Sequence, residues 1–178
     1  MPSAVALLRA VNVGGANRLA MADLRGALEG QGFSGVQTLL QSGNVVFESR
    51  TRSAKTSERL IRTALHDQCG VDVDVFVRAA SEWRAIVAGN PFVTESQRDP
   101  GRVVVMVFGS SPDAAAERRL RASIAGMERV AIAGSHGYLV YPDGIGRSRL
   151  TPSVIERALQ TRGTARNWNT VVKLAALL

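Results

Sequence analysis

The stretch from Leu8 to Leu24 reads L-R-A-V-N-V-G-G-A-N-R-L-A-M-A-D-L and decides how the chain begins to fold. The apolar run that ends at Leu8 is typical of a short buried strand, whereas Met21, Leu24 and Leu28 recur at helical spacing. Residues 12–20 are therefore predicted to connect a strand to a helix.

This connection is rich in groups that suit an anion. Backbone N–H groups at the start of a helix point toward a bound ligand, and the helix dipole favours negative charge there. We therefore interpret the connection as one wall of a candidate binding site. The residues concerned are Arg9, Asn12, Gly14, Gly15, Asn17 and Arg18.

Hydrophobic periodicity over the first 80 residues predicts the order β-α-β-β-α-β, the ferredoxin-like or split βαβ arrangement. Its second and third strands flank the turn Q-S-G-N at residues 41–44. The first two strands run the same way in this topology, so the turn is expected at the same end of the sheet as the glycine-bearing loop. Gln41, Ser42 and Asn44 thereby join the candidate binding residues. The alternative is structural: Gly43 and Asn44 supply the positive φ angles of a tight hairpin, and Asn12 caps a turn.

The second half repeats the pattern without obvious sequence identity. We predict an α+β protein with two ferredoxin-like (α-β plait) halves and antiparallel sheets. The first half spans residues 1–80, and a helix and polar linker span 81–102. Residues 103–178 are predicted to form a second, incomplete half that ends in an amphipathic helix instead of a fourth strand.

The formal net charge of +7 permits a phosphate-bearing partner, including nucleic acid. The 22 cationic residues are mostly arginines interleaved with acids and form no long basic tract, so a solvated surface is the alternative. No apolar run approaches the roughly 20 residues that cross a bilayer. The N-terminal apolar run is too short for a signal-peptide core, so a cytoplasmic location without membrane association is expected.

The residue types favour binding over catalysis. Cys69 is the single cysteine, so a disulfide within the chain is excluded, and the two histidines show no metal-ligand spacing. No Ser-His-Asp arrangement or pair of carboxylates stands in the candidate loops. RNA recognition by base stacking is disfavoured because the predicted central strands offer Phe47 alone. The sequence specifies no cofactor, no metal and no oligomeric state.

Six motifs in order give the chain a wider resemblance. They are A-L-L-R-A-V-N-V-G-G-A-N, M-A-D-L-R, Q-S-G-N-V-V-F, N-P-F, Y-P-D-G-I-G-R-S-R-L and T-A-R-N-W-N-T-V-V-K-L. Together they resemble the bacterial family called domain of unknown function 1697. The resemblance implies two ferredoxin-like halves and supplies no activity. It also implies glycine at position 10, where this chain has alanine.

The resemblance adds motif residues from the second half to the candidate site. The G-I-G-R-S run at 144–148 could cradle a phosphate with its amides, or it is simply a loop before a helix. In R-N-W-N, Asn167 could bind a ligand or serve as a helix N-cap. The added candidates are Arg147, Ser148, Arg166, Asn167 and Asn169.

The prediction for function is a cytosolic protein that binds a small anionic or nucleotide-like ligand, or nucleic-acid phosphate, through polar loops. Two alternatives stay open. One is an enzyme of unassigned class, and the other is a structural or partner-binding protein.

Overall fold

The structure is a computed structural model that describes residues 1–15 and 17–178; Ala16, within the predicted connection, lies outside the described residues. The chain divides into two compact units. The first unit comprises Met1–Ala85 together with Leu174–Leu178, and the second unit comprises Ile86–Lys173.

Each half of the chain runs through the same order of strands and helices. The first half contains β1 (Ser3–Leu8), α1 (Met21–Gly30), β2 (Ser34–Leu39), β3 (Asn44–Glu48), α2 (Ala54–Cys69), β4 (Val75–Ala79) and α3 (Ala80–Ala88). A short helix, α4 (Val93–Arg98), and a 3₁₀ turn over Pro100–Arg102 lead into the second half. That half contains β5 (Val103–Phe108), α5 (Ala114–Ala122), β6 (Arg129–Ala133), β7 (His136–Val140), α6 (Pro152–Leu159), β8 (Gly163–Asn167) and α7 (Trp168–Ala175).

Both sheets have four strands and the same topology. The strand orders are β2-β3-β1-β4 and β6-β7-β5-β8, and neighbouring strands are antiparallel. The registers also correspond, because Val5 pairs with Arg78 and Val105 pairs with Arg166. The predicted α+β fold with two ferredoxin-like halves is confirmed.

Each sheet packs one face against its own helices. In the first unit the cluster is formed by residues such as Leu8, Leu24, Phe47, Ile61 and Leu65, all fully buried. Their spacing in α1 and α2 is that of an amphipathic helix face. The equivalent cluster of the second unit includes Met106, Phe108, Leu120, Leu139 and Leu159.

Side chains satisfy the first amides of several helices, but not those of α1, which bears on the candidate site. The Oγ of Ser53 accepts a bond from Thr56 N, Asp113 caps α5 and Thr151 caps α6. Ala20 stands at the same position before α1 and offers no side-chain acceptor. The first amides of α1 are therefore left without a side-chain cap.

The prediction that the second half is incomplete is wrong. Gly163–Asn167 forms β8 and pairs with β5 along its whole length, which completes the sheet. The G-T-A-R-N sequence lacks an apolar run, so its strand character depends on its pairing with β5. The predicted C-terminal helix is present and follows β8 directly as α7.

Two further segments differ from their sequence patterns. Part of the predicted polar linker is helical, as α4. The alternating run V-D-V-D-V predicts a strand from Val71, whereas β4 begins at Val75. Val71 and Val73 are nevertheless buried in the first core.

Among the described residues, no helix is both long and apolar enough to cross a membrane.

Candidate functional site

The loop between β1 and α1, residues 9–20, is fastened by the side chain of Asn12. Its Nδ2 donates to the carbonyl oxygens of Leu19 at 2.9 Å and Gln41 at 2.8 Å. Its Oδ1 accepts a bond from Leu19 N at 2.9 Å. The bond to Gln41 joins this loop to the turn between β2 and β3, so the predicted proximity of the two is confirmed. The side-chain amide of Asn12 is therefore already used in these hydrogen bonds.

The same two connections concentrate left-handed backbone. Of the five described non-glycine residues with positive φ, four lie here, and the fifth is Gln160. The four are Ala10 (φ 55), Asn12 (φ 55), Asn17 (φ 48) and Leu40 (φ 61), and they are accompanied by Gly14, Gly15 and Gly43. Such conformations cost about 1–2 kcal/mol each for residues with a Cβ and cluster at functional sites. At position 10, a left-handed backbone is the physical reason for the glycine that the family resemblance implies.

The turn at residues 40–43 is fixed by close packing and by Asn44. A Cβ on Gly43 would lie 2.7 Å from the Leu8 Cβ, and Gly43 has a φ of 73°. Asn44 is fully buried, and its Nδ2 donates to Leu39 O and Ser42 Oγ, both at 2.9 Å. The predicted positive φ at Asn44 is wrong, because Leu40 and Gly43 supply it instead. Asn44 therefore supports the turn from within.

The loop presents two glycines, an apolar side chain and a cationic side chain to solvent. Val13 is 62% exposed, and Gly14, Gly15 and Arg18 are exposed as well. Asn17 is exposed and donates from Nδ2 to Ala10 O at 3.2 Å. The Gln41 side chain is exposed, Ser42 and Arg9 are half-buried, and α1 begins immediately beyond the loop with its uncapped amides.

The second unit shows that this loop is longer than the topology requires. There the connection from β5 to α5 takes residues 109–113, and the β6–β7 turn takes residues 134–135. The corresponding connections of the first unit take residues 9–20 and 40–43. Both are at least twice as long at the same end of an otherwise equivalent sheet. Long connections on a regular scaffold commonly carry function.

The G-I-G-R-S run forms a 3₁₀ turn between β7 and α6 whose amides largely face inward. Gly144 N donates to Tyr141 O, Arg147 N to Gly144 O and Ser148 N to Ile145 O. These three amides are thus used within the turn. The turn lines a cleft of about 230 Å³ at which Arg147 is exposed.

Ser148 binds a carboxylate from another loop. Its hydroxyl donates to the Glu128 carboxylate, and its Oγ accepts a bond from Leu150 N at 2.9 Å. The Ser148 hydrogen bond is the main cause that holds the pKa of Glu128 below its ordinary value. Sequence reasoning missed Glu128, since it lies in another connection and no local motif links it to Ser148.

In the R-N-W-N segment, the two leading side chains make local bonds. Arg166 donates from Nη1 to Thr164 Oγ1 and Ala165 O, each at 2.8 Å, and burial lowers the pKa of its guanidinium to about 10. Asn167 Oδ1 accepts bonds from Thr170 N at 3.0 Å and Thr170 Oγ1 at 3.1 Å. The N-cap interpretation of Asn167 is confirmed. Asn169 is exposed.

The structure gathers the first-unit candidates at one end of one sheet: Arg9, Asn12, Gly14, Gly15, Asn17, Gln41, Ser42 and Asn44. Arg147 and Ser148 stand on the β7–α6 connection of the second unit, and Arg166 and Asn167 lie on β8. In the part of the chain that the structure describes, no three or more His, Cys, Asp or Glu side chains group in a way that could hold a metal ion.

Comparison with known proteins identifies a family and a fold. A family model described as "Protein of unknown function (DUF1697)" matches residues 1–138, so the resemblance seen in the motifs is confirmed, although the two closing motifs extend beyond the match. The solved structure of the conserved bacterial protein SP0830 from Streptococcus pneumoniae has a TM-score of 0.75. It is 20% identical, and the match covers 99% of this chain and 98% of that one. No curated protein gives a match.

Proposed function

Because this chain belongs to the DUF1697 family of proteins of unknown function, we propose its role from its own residues: it is a cytoplasmic binding protein. The ligand is a small anionic or nucleotide-like molecule, or a phosphate of a nucleic acid. The first-unit loop at residues 9–20, with the turn at 40–43, receives it.

The single observation that carries this proposal is the length of the loop, together with the Asn12 hydrogen bonds within it and to the neighbouring turn. The second unit closes the same topology with connections at most half as long. The extra residues of the first unit hold a costly left-handed backbone in place with the three hydrogen bonds of Asn12. Rigid presentation of loop groups is what a binding site requires, because less entropy is lost when the ligand binds.

The chemistry of the exposed groups supports an anion as the ligand. Gly14 and Gly15 allow close approach to backbone amides, and α1 begins without a side-chain cap. Arg9 and Arg18 bring positive charge to the same loop. Charge-assisted hydrogen bonds from arginine to phosphate are among the stronger polar interactions in proteins.

The polar groups of the loop and the turn are better suited to binding than to catalysis. Amides, hydroxyls and arginines recognise a ligand, but they are poor proton carriers near neutral pH. An enzyme would show turnover of a metabolite that is lost when Ser42 or Asn44 is replaced. A purely structural protein would show no response to any ligand.

Thermal-shift screening against nucleotides and phosphorylated metabolites, followed by calorimetry on each hit, tests the proposal. Arg9→Ala and Arg18→Ala are expected to weaken binding about tenfold each, the loss of one charge-assisted bond. Arg50→Ala removes the same charge from an exposed site beyond β3 and should leave affinity unchanged. Unchanged affinity in both loop variants would refute the site.

A further inference from the structure

A second cleft lies at the other end of the first sheet, where β1 begins and α2 starts. It encloses about 280 Å³ and is lined by residues of the first unit. β1 runs from Ser3 in this cleft to Leu8 beside the loop of the proposed function. The two features are therefore separated by the length of the strand.

Hydroxyl groups dominate the polar lining of this cleft. Three of these hydroxyl oxygens each accept a hydrogen bond from a backbone N–H two or three residues further along the chain. Ser49 Oγ accepts from Thr51 N, Thr51 Oγ1 from Ser53 N, and Ser53 Oγ from Thr56 N, at 3.1–3.2 Å. A hydroxyl that accepts in this way keeps its own O–H to donate. Among the described residues, none of the three O–H groups has a protein acceptor. The six hydroxyl residues of the lining are Ser3, Ser49, Thr51, Ser53, Ser57 and Ser81.

Ser57 provides an independent indication of a ligand. The residue is 3% exposed and lines the cleft, yet its hydroxyl has no hydrogen-bond partner among the described residues. Such a hydroxyl keeps its O–H available to a ligand in the cleft. A donor buried in the wall of a cleft is stabilised when a ligand supplies the acceptor.

The charge of Arg52 and the start of α2 indicate which kind of ligand suits the cleft. Arg52 is exposed at the cleft and makes no ion pair within the described part of the chain. The N–H of Ala54 opens the 16-residue helix α2, whose dipole favours an anion. The described lining contains no carboxylate. The neighbouring Glu58 is already engaged, by Val77 N at 3.0 Å and by Lys55 Nζ at 3.0 Å.

The rest of the lining is apolar and includes Pro2, Ala4 and Val77. A free inorganic ion would leave this apolar surface exposed to water, whereas an ester with a small apolar group would bury it. We propose that this cleft binds a small phosphate or sulfate monoester. Its oxyanion meets Arg52, Ser57 and the start of α2, and its apolar body lies on the Pro2, Ala4 and Val77 surface.

The test uses phenyl phosphate as the probe, with inorganic phosphate and phenol as comparisons, on the full chain. Affinity is measured by calorimetry, and the site is located by the backbone amide resonance of Ala54. Phenyl phosphate should bind several-fold more tightly than inorganic phosphate, phenol should not bind, and the Ala54 resonance should shift. If inorganic phosphate binds as tightly as the ester, the apolar part of the proposal is overturned.

Matched variants identify the groups responsible. Arg52→Ala should weaken phenyl phosphate about tenfold and Ser57→Ala about fivefold, while Arg52→Lys should recover part of the loss. Ser57→Ala keeps the helix intact because alanine is the better helix former. Arg50→Ala, which removes a charge outside the cleft, and Arg18→Ala in the other site should both leave this affinity unchanged. Equal losses in Arg50→Ala and Arg52→Ala, or an unshifted Ala54 resonance, would overturn the site without touching the loop proposal.

Discussion

At Gly43 the backbone conformation and the neighbouring strand both exclude a side chain. The added Cβ of Gly43→Ala would meet the Leu8 Cβ at 2.7 Å while φ stays at +73°. Overpacking together with a left-handed alanine is expected to lower the free energy of unfolding by about 2–4 kcal/mol. Urea denaturation measures the loss. Gly26→Ala is the control, because Gly26 lies in α1 with open space around it and should gain about 0.5–1 kcal/mol.

Ala10 presents the opposite situation. It holds a φ of 55° with a methyl group in place. Ala10→Gly removes a penalty of about 1–2 kcal/mol and adds the backbone entropy of glycine, about 0.5–1 kcal/mol. We expect a net stabilisation of about 0.5–1 kcal/mol in chemical denaturation. A destabilised Ala10→Gly variant would show that the methyl group packs favourably in the loop.

The Ser148–Glu128 hydrogen bond predicts a pH effect. Because the folded pKa of Glu128 lies below its unfolded value, its contribution to stability is present above about pH 4.3 and is lost as pH falls through the folded pKa. Ser148→Ala should raise the pKa of Glu128 toward its ordinary value and reduce the dependence of stability on acid pH. NMR titration of the Glu128 carboxyl measures the shift. Ser110→Ala, in another connection, should leave that titration unchanged.

Sequence reasoning was partly successful at this scale. It placed Asn12 beside the Q-S-G-N turn because the topology alone requires that meeting. The hydrogen-bond partners of the Asn12 and Asn44 side chains could not be predicted from sequence, because they depend on the conformation of the folded loop. Glu128 was missed for the same reason: Ser148 reaches it through space from another connection.

At the level of single elements, adding a side-chain cap to α1 is expected to raise the stability of the protein and to weaken its binding of an anion. Ala20 holds an extended N-cap backbone, φ −70° and ψ 139°, which suits serine without rearrangement. Ala20→Ser should cap the helix and raise the free energy of unfolding by about 1 kcal/mol. It should also weaken anion binding at the loop, because its hydroxyl oxygen takes an amide that the ligand would use. Denaturation and calorimetry measure the two effects.

Ala22→Ser is the control for that experiment, since it makes the same chemical change inside the helix. It should cost about 0.5 kcal/mol and leave binding unchanged. If Ala20→Ser stabilises the protein while affinity stays constant, the start of α1 does not contact the ligand.

Elements with a clear apolar period were predicted well, and those stabilised by their neighbours were not. The sequence R-V-A-I-A, followed by a Gly-Ser turn, is typical of a strand and forms β6. β8 was missed because G-T-A-R-N carries no such period and gains its strand form by pairing with β5. α4 was missed because its sequence, V-T-E-S-Q-R, has no distinct apolar face that would indicate a helix.

For the molecule as a whole, the last residues belong to the first unit. Leu174 is fully buried, and Arg84 donates from Nη2 to Leu178 O at 2.7 Å. Leu174→Ala should cost about 2–5 kcal/mol and lower hydrogen-exchange protection in the first unit. Leu177→Ala, in the same tail but 37% exposed, should be nearly neutral. Loss of protection confined to the second unit would contradict this assignment.

The return of the chain to its first unit sets an order of events during synthesis. On the ribosome, the residues of Met1–Ala85 emerge early, but Leu174–Leu178 follow only after the whole second unit has been translated. At typical elongation rates of about 5–20 residues per second, that delay is on the order of ten seconds. The first unit is therefore completed only after the whole second unit has emerged.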